Sequence, residues 1–165
     1  KLNECKSYLF WVDQYFESAG FKWISEAYVK KNSSIKKIEI LAKFNQHSPQ
    51  EDLYKIKFKE SFNELKIKLN EKNISLELRI CFESKFARDI HARYWYFYEN
   101  QPPSVQSSWS IPSIMNFKRG QKESINPTPF RKDNFDEIWK YSLNFEKDYD
   151  EIISKYQEWR KKQTT

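Results

Sequence analysis

The sequence predicts an α/β fold: a mixed, mostly parallel sheet with flanking helices, closed by two C-terminal helices. Three observations predict it. Short runs with strand periodicity alternate with helix-period stripes through the first half, in the order β-α-β-α-β, and strands joined by helical crossovers imply parallel pairing. Phe, Tyr and Trp make up 18% of the 165 residues, which excludes the aromatic-poor composition of a disordered chain. The tail carries two apolar stripes at helical spacing. The length fits one domain spanning 1–165, with a core at about 5–130 and the helical pair at 133–162.

The elements follow in order. Tyr8 to Val12 is an aromatic and β-branched run ending at Asp13, and reads as a buried strand. Glu17 to Lys30 places Phe21, Ile24, Ala27 and Tyr28 at helical spacing. Ile35 to Phe44 reads as a second strand with Ile38, Ile40 and Ala42 on one face. Ser48-Pro49 opens the clearest helix, Glu51 to Leu69, striped by Tyr54, Phe58, Phe62, Leu65 and Leu69. Ile74 to Phe82 alternates apolar and polar residues as a half-buried strand does. Ile90 to Tyr98 is an aromatic strand. Gln101-Pro-Pro103 breaks the chain, and Val105 to Phe117 reads as one or two short strands interrupted at Pro112. Arg119-Gly120 reads as a turn and Asn126 to Pro129 as another break. Helices at Asp133 to Leu143 and Phe145 to Lys161 close the chain; Asn134 with Glu137 forms a capping-box start for the first.

Composition narrows the function classes. The only glycines, Gly20 and Gly120, are too far apart to form a Gly-rich phosphate loop. No apolar run approaches the roughly 18 residues of a membrane-spanning helix. Cys5 and Cys81 are in no C-x-x-C, and no His or Cys is spaced for zinc, so no metal and no cofactor is expected. The two thiols read as free and buried in a reducing compartment, hence an intracellular, cytoplasmic location. There is no initiator Met, which suggests a fragment of a longer protein. Net charge is +6, and its position matters more than its size. Residues 79–132 hold nine Lys or Arg (Arg79, Lys85, Arg88, Arg93, Lys118, Arg119, Lys122, Arg131, Lys132) against four acids, whereas the rest of the chain is close to neutral. Cations concentrated in one aromatic-rich stretch imply an anionic partner met by one face of the sheet. A solvated strand-and-loop face is the plainer alternative.

One constellation could carry chemistry. His47, in a Gln-His-Ser-Pro loop, reads as a surface residue. His91 opens the aromatic strand two residues before Arg93. Strand residues i and i+2 share a face, so these two point together, with Tyr94, Tyr96 and Tyr98 on the opposite parity. Imidazole can act as a nucleophile or general acid, and guanidinium can grip two phosphate oxygens, so the pair suits phosphate chemistry. The alternative is a core histidine beside an Arg93 buried against Asp13 or Glu99. Two other enzyme classes are weaker. Glu77-Leu78-Arg79 and Glu39 lack the Lys of a restriction-type nuclease, and no Gly-x-Ser-x-Gly is present.

The order β-α-β-α-β, a basic loop and then Ile90-His91-Ala92-Arg93-Tyr94 opening a strand resembles the phospholipase D-like superfamily. The resemblance is to its short single-motif members, such as the C-terminal domains of MIT-domain proteins and related bacterial modules. Asp13-Gln14-Tyr15-Phe16 resembles the family's D-x-Y strand ending, which implies a structural, orienting role for Asp13 and Tyr15. Arg119-Gly120 to Ser124 stands where such domains carry a Gly/Ser-containing strand. The resemblance spans about residues 5–150 and implies a single phospholipase D-like domain. Catalytic members use His-x-Lys and a downstream Asp; here those positions hold Arg93 and Tyr98, and the chain carries one motif where a full site needs two.

Three functions follow. The first is a non-catalytic, phosphate-recognising module that binds nucleic acid, with Arg88, Arg93, Lys118, Arg119 and Lys122 on phosphates and Tyr94, Trp95, Tyr96 or Trp109 stacking on bases. The second is an interaction module of the MIT-associated type, for which the resemblance implies homodimerisation and contact with an anionic membrane. The third is a homodimeric, metal-independent nuclease or phosphodiesterase with His91 as nucleophile. In a bacterial source the resemblance implies a recognition domain joined to the rest of a parent chain, such as an ATPase or effector in a defence system.

Overall fold

The computed structural model describes residues 1–31, 33–45, 51–86, 90, 93–99, 105–111, 124–128 and 135–163. Its elements are β1 (Tyr8–Asp13), α1 (Ser18–Ile24), β2 (Lys37–Lys43), α2 (Ile56–Asn70), β3 (Ser75–Cys81), β4 (Arg93–Tyr98), β5 (Val105–Ser110), β6 (Asn126–Pro127), α3 (Phe135–Tyr141), β7 (Leu143–Asn144) and α4 (Tyr149–Gln163). The fold is α/β and the sheet is mixed, with strand order β6-β5-β4-β1-β2-β3-β7.

The expectation of a mostly parallel sheet is corrected. β1, β2 and β3 are parallel, but β4 runs antiparallel to β1, β5 to β4, β6 to β5 and β7 to β3. A parallel return needs a long crossover, usually a helix. Between β3 and β4 the described residues hold only the short 3-10 turn Ser84–Phe86, so the chain comes back beside β1 from the opposite direction. β7 also departs from the sequence reading: two residues between the closing helices add a strand to the β3 edge, anchored by Phe145 N–H donating to Leu78 O at 2.9 Å.

Both sheet faces are covered, which is why β1 is buried along nearly its whole length. One face carries Leu9, Trp11, Ile38, Ile40, Leu78 and Trp95 beneath α1, α2 and α4. The other carries Phe10, Val12, Leu41, Cys81 and Tyr96 beneath α3 with Phe86 and Ile90. The α2 stripe expected from spacing is the buried one: Phe58, Phe62, Leu65 and Leu69. The helix expected from Glu17 to Lys30 ends in a π turn at Ser25–Val29, closed by Lys30 N–H to Ser25 O at 3.0 Å. Gly20 is required by packing, since a Cβ there would lie 2.5 Å from the buried Phe16 ring. Ser48-Pro49, Pro112, Arg119-Gly120 and the Asn134 cap lie outside the described residues. No helix among the described residues is long and apolar enough to cross a membrane.

Candidate functional site

β2 and β3 extend the sheet to one side of β1 and β4 to the other, so the strand order reverses between β1 and β4. That reversal is the switch point of the sheet, and because β4 is antiparallel to β1 the carboxyl end of β1 meets the amino end of β4 there. Asp13 closes β1 and Arg93 opens β4 directly opposite it. Their side chains share the face of Trp11 and Trp95. Arg93 Nε stands 3.3 Å from Asp13 Oδ1, and its guanidinium carbon lies 5.1 Å from the centre of the Tyr15 ring. The Asp13 side chain is 1% exposed and that of Arg93 22%.

The turn after β1 builds the rest. Asp13 Oδ1 also accepts from Tyr15 N–H at 2.9 Å, the i to i+2 bond by which aspartate shapes a turn. The Tyr15 hydroxyl accepts from Asn45 Nδ2 at 3.2 Å, tying the turn to the end of β2. Glu17, buried beside it, precedes α1, whose first N–H (Ser18) donates to Asp52 Oδ2 at 2.8 Å. Burial pushes the Asp13 carboxyl up to about 6; the Tyr15 N–H and the Arg93 charge oppose that rise, and the nearby Glu17 adds to it. Asp13 Oδ2 is buried with no hydrogen-bond partner among the described residues.

The structure sorts the candidate residues. Asp13, Tyr15 and Arg93 come together, and Asn45 and Glu17 join them. Sequence reasoning missed the last two; a second acid four residues after Asp13, directly following a strand, was the available signal for Glu17. Tyr94, Tyr96 and Tyr98 lie on the opposite sheet face from Arg93. Tyr96 is fully buried, tilted against Tyr94 and stacked on Phe10, which corrects its expected role as a base-stacking side chain. Trp95, 2% exposed, is likewise core. Trp109 is half-buried on the Arg93 face, paired with Trp95 across β4 and β5, with Lys1 Nζ 4.3 Å above its ring. Tyr98 stacks on Tyr8 at 4.8 Å. His47, Arg88, His91, Lys118, Arg119 and Lys122 lie outside the described residues, as do Arg131 and Lys132.

The expectation that the 79–132 cations share one face is corrected for the three that are described. Arg79 pairs with Glu77 at 2.7 Å, donates to Trp139 O and lies over the Trp139 ring on the α3 side, opposite Arg93. Lys85 sits over the rings of Phe86 and Tyr141. Cys5 and Cys81 are free and buried; burial pushes the Cys5 thiol up to about 12 and raises that of Cys81, so neither is disposed to act as a thiolate. Among the described residues no three His, Cys, Asp or Glu side chains gather as a metal site requires. The chain matches no protein-family model, and no curated protein matches it.

Proposed function

We propose that the chain is a non-catalytic, phospholipase D-like recognition module that takes a phosphate of a nucleic acid at the β1–β4 switch point. One observation carries this reading: Arg93 stands at that switch point, braced by Asp13 and Tyr15, with part of its side chain in solvent. Asp13 engages Nε. The two terminal nitrogens remain as a fork, the geometry that grips two phosphate oxygens. Bracing the guanidinium beforehand lowers the entropy lost on binding. Asp13 also opposes a second anion, so the site suits modest, backbone-directed affinity. Trp109 lies diagonal to Arg93 on the same face, and a base would reach its ring by displacing Lys1 from above it. The catalytic reading lacks support, because Arg93 is engaged by a carboxylate and the downstream position holds Tyr98 in place of an acid.

The test is fluorescence anisotropy with a labelled single-stranded oligonucleotide across a salt series. Wild-type protein is expected to bind with a negative salt slope, and the D13N/R93Q variant, which keeps the site neutral, to bind more weakly. Equal binding by the two proteins, each folded by circular dichroism, would remove Arg93 and this site from the reading.

A further inference from the structure

We infer a second polyanion-binding surface at the opposite end of the sheet: a rim of lysines at the amino ends of β1, β2 and β3, fitted to a nucleic-acid backbone. Lys6 precedes β1, Lys36 precedes β2 and Lys72 stands on the turn before β3, while Lys31 follows the π turn after α1. The fold draws these segments together. Ser34 Oγ donates to Lys6 O at 2.8 Å, Lys36 N–H to Ser7 O at 2.7 Å and Ser75 N–H to Lys36 O at 2.9 Å. Asn73 holds a left-handed backbone conformation (φ 58°) and turns the chain out of α2, which presents Lys72 at the same edge. Adjacent strands lie about 4.8 Å apart, so Lys6, Lys36 and Lys72 span roughly 10 Å.

Among the lysines at this edge, these four lack a direct carboxylate partner. Lys1, Lys30 and Lys37 are matched by Glu4, Glu26 and Glu39. Lys6, Lys31, Lys36 and Lys72 are exposed and form no ion pair among the described residues. Two of them converge on one residue. Lys6 Nζ donates to Asn3 O at 3.5 Å, and Lys31 Nζ donates at 2.9 Å to the Asn3 amide oxygen, in the orientation where its NH₂ donates to Ala27 O. Two like charges drawn together, with the nearest carboxylate, Glu26, already paired to Lys30, favour an anion from outside. The acids nearby are Glu26, paired with Lys30 and also within reach of the Lys31 charge, Glu71, next to Lys72, and Glu99, just past β4.

Lysine ammonium groups read phosphate charge and not base identity, which is backbone contact. A lipid surface would call for an apolar anchor beside the cations. Of the large exposed apolar residues among those described, Ile56, Ile67 and Tyr141, only Ile67 borders the rim, in the last turns of α2 before Lys72, and it is one side chain where anchoring needs an apolar face. The rim and the Arg93 site lie at opposite ends of the strands, so each can fail without the other.

The test compares K36Q/K72Q with K57Q/K147Q, a pair of exposed lysines away from the rim that removes the same charge. Anisotropy is measured on a labelled single-stranded oligonucleotide and co-sedimentation on vesicles with and without an anionic lipid. K36Q/K72Q is expected to weaken oligonucleotide binding about tenfold at low salt and to reduce the salt slope by roughly 1.4, two contacts at about 0.7 each. K57Q/K147Q should leave the slope unchanged. Equal effects of the two pairs, or rim-dependent binding to anionic vesicles alone, would overturn the proposal. Loss in D13N/R93Q with no loss in K36Q/K72Q would keep the Arg93 site and discard the rim.

Discussion

Arg93, the first residue of β4, faces Asp13, the last of β1, with Nε 3.3 Å from Oδ1. The pair closes the end of the sheet at which the strand order reverses, and it joins two segments far apart in sequence. Its physical character is unequal. The carboxylate is buried while the guanidinium keeps 22% of its side chain exposed, so the acid bears most of the desolvation and the base keeps contact with water.

That inequality sets the cost of breaking the pair. Arg93→Ala leaves a carboxyl buried without its cation and is expected to lower stability by about 3 kcal/mol, near the bottom of the range for a buried pair. D13N/R93Q should recover most of that loss. Urea denaturation of the four corners of the D13N and R93Q cycle measures the coupling. Independent, additive effects would contradict a direct interaction.

Stability should also carry a pH signature from Asp13. Its carboxyl is raised from 3.8 to about 6 in the folded chain, so between those values the native state holds the proton and the unfolded state does not. The Asp13 contribution to stability is then greatest below about pH 4 and falls as pH rises towards 6, by roughly 3 kcal/mol over the whole shift. Denaturant titrations at stepped pH should show this component in the wild type and not in Asp13→Asn. An unchanged profile in the variant would assign the slope to other groups.

Gly20→Ala tests packing in the α1 layer. The new methyl meets the Phe16 ring at 2.5 Å, and Phe16 is wedged edge-on against Trp11, Phe21 and Phe58. With no room for the ring to retreat, a loss of about 1–3 kcal/mol is expected, read as a lower Tm. A neutral or raised Tm would show that the helix propensity gained by alanine outweighs the clash.

Tyr54 and Tyr156 stack at 4.1 Å and 6°, and with Ile152 they dock α4 on the sheet layer. Tyr156→Ala is expected to cost about 3 kcal/mol. Amides of α4 should lose hydrogen-exchange protection before those of β1 to β3. Tyr54→Phe should be neutral or stabilising by up to about 1 kcal/mol, because the Tyr54 hydroxyl is buried with no partner among the described residues. A marked loss in Tyr54→Phe would mean that the hydroxyl is satisfied.

Much of the architecture was legible because local periodicity records which face of an element is buried. The α2 stripe, the alternation in β3 and the opposite parities of Arg93 and Tyr96 are all set by neighbours three, four or two residues away. The direction of β4 was not legible. An aromatic strand reads the same in either sense, and only the missing helical crossover turns it antiparallel. The two-residue β6 and β7 are too short for any period to register.

The candidate site divides along the same line. The amino-acid sequence alone determined an α/β chain, its β-α-β-α-β opening, the burial of both cysteines and the residues Asp13, Tyr15 and Arg93 as ones to watch, because each follows from local pattern and composition. The tertiary structure alone decided that Arg93 is braced by Asp13, that Tyr96 belongs to the core, that Arg79 and Arg93 lie on opposite faces, and that Lys6, Lys31, Lys36 and Lys72 meet on one rim. Charge summed along a chain averages over segments that folding separates, or gathers, by the pairing of strands distant in sequence.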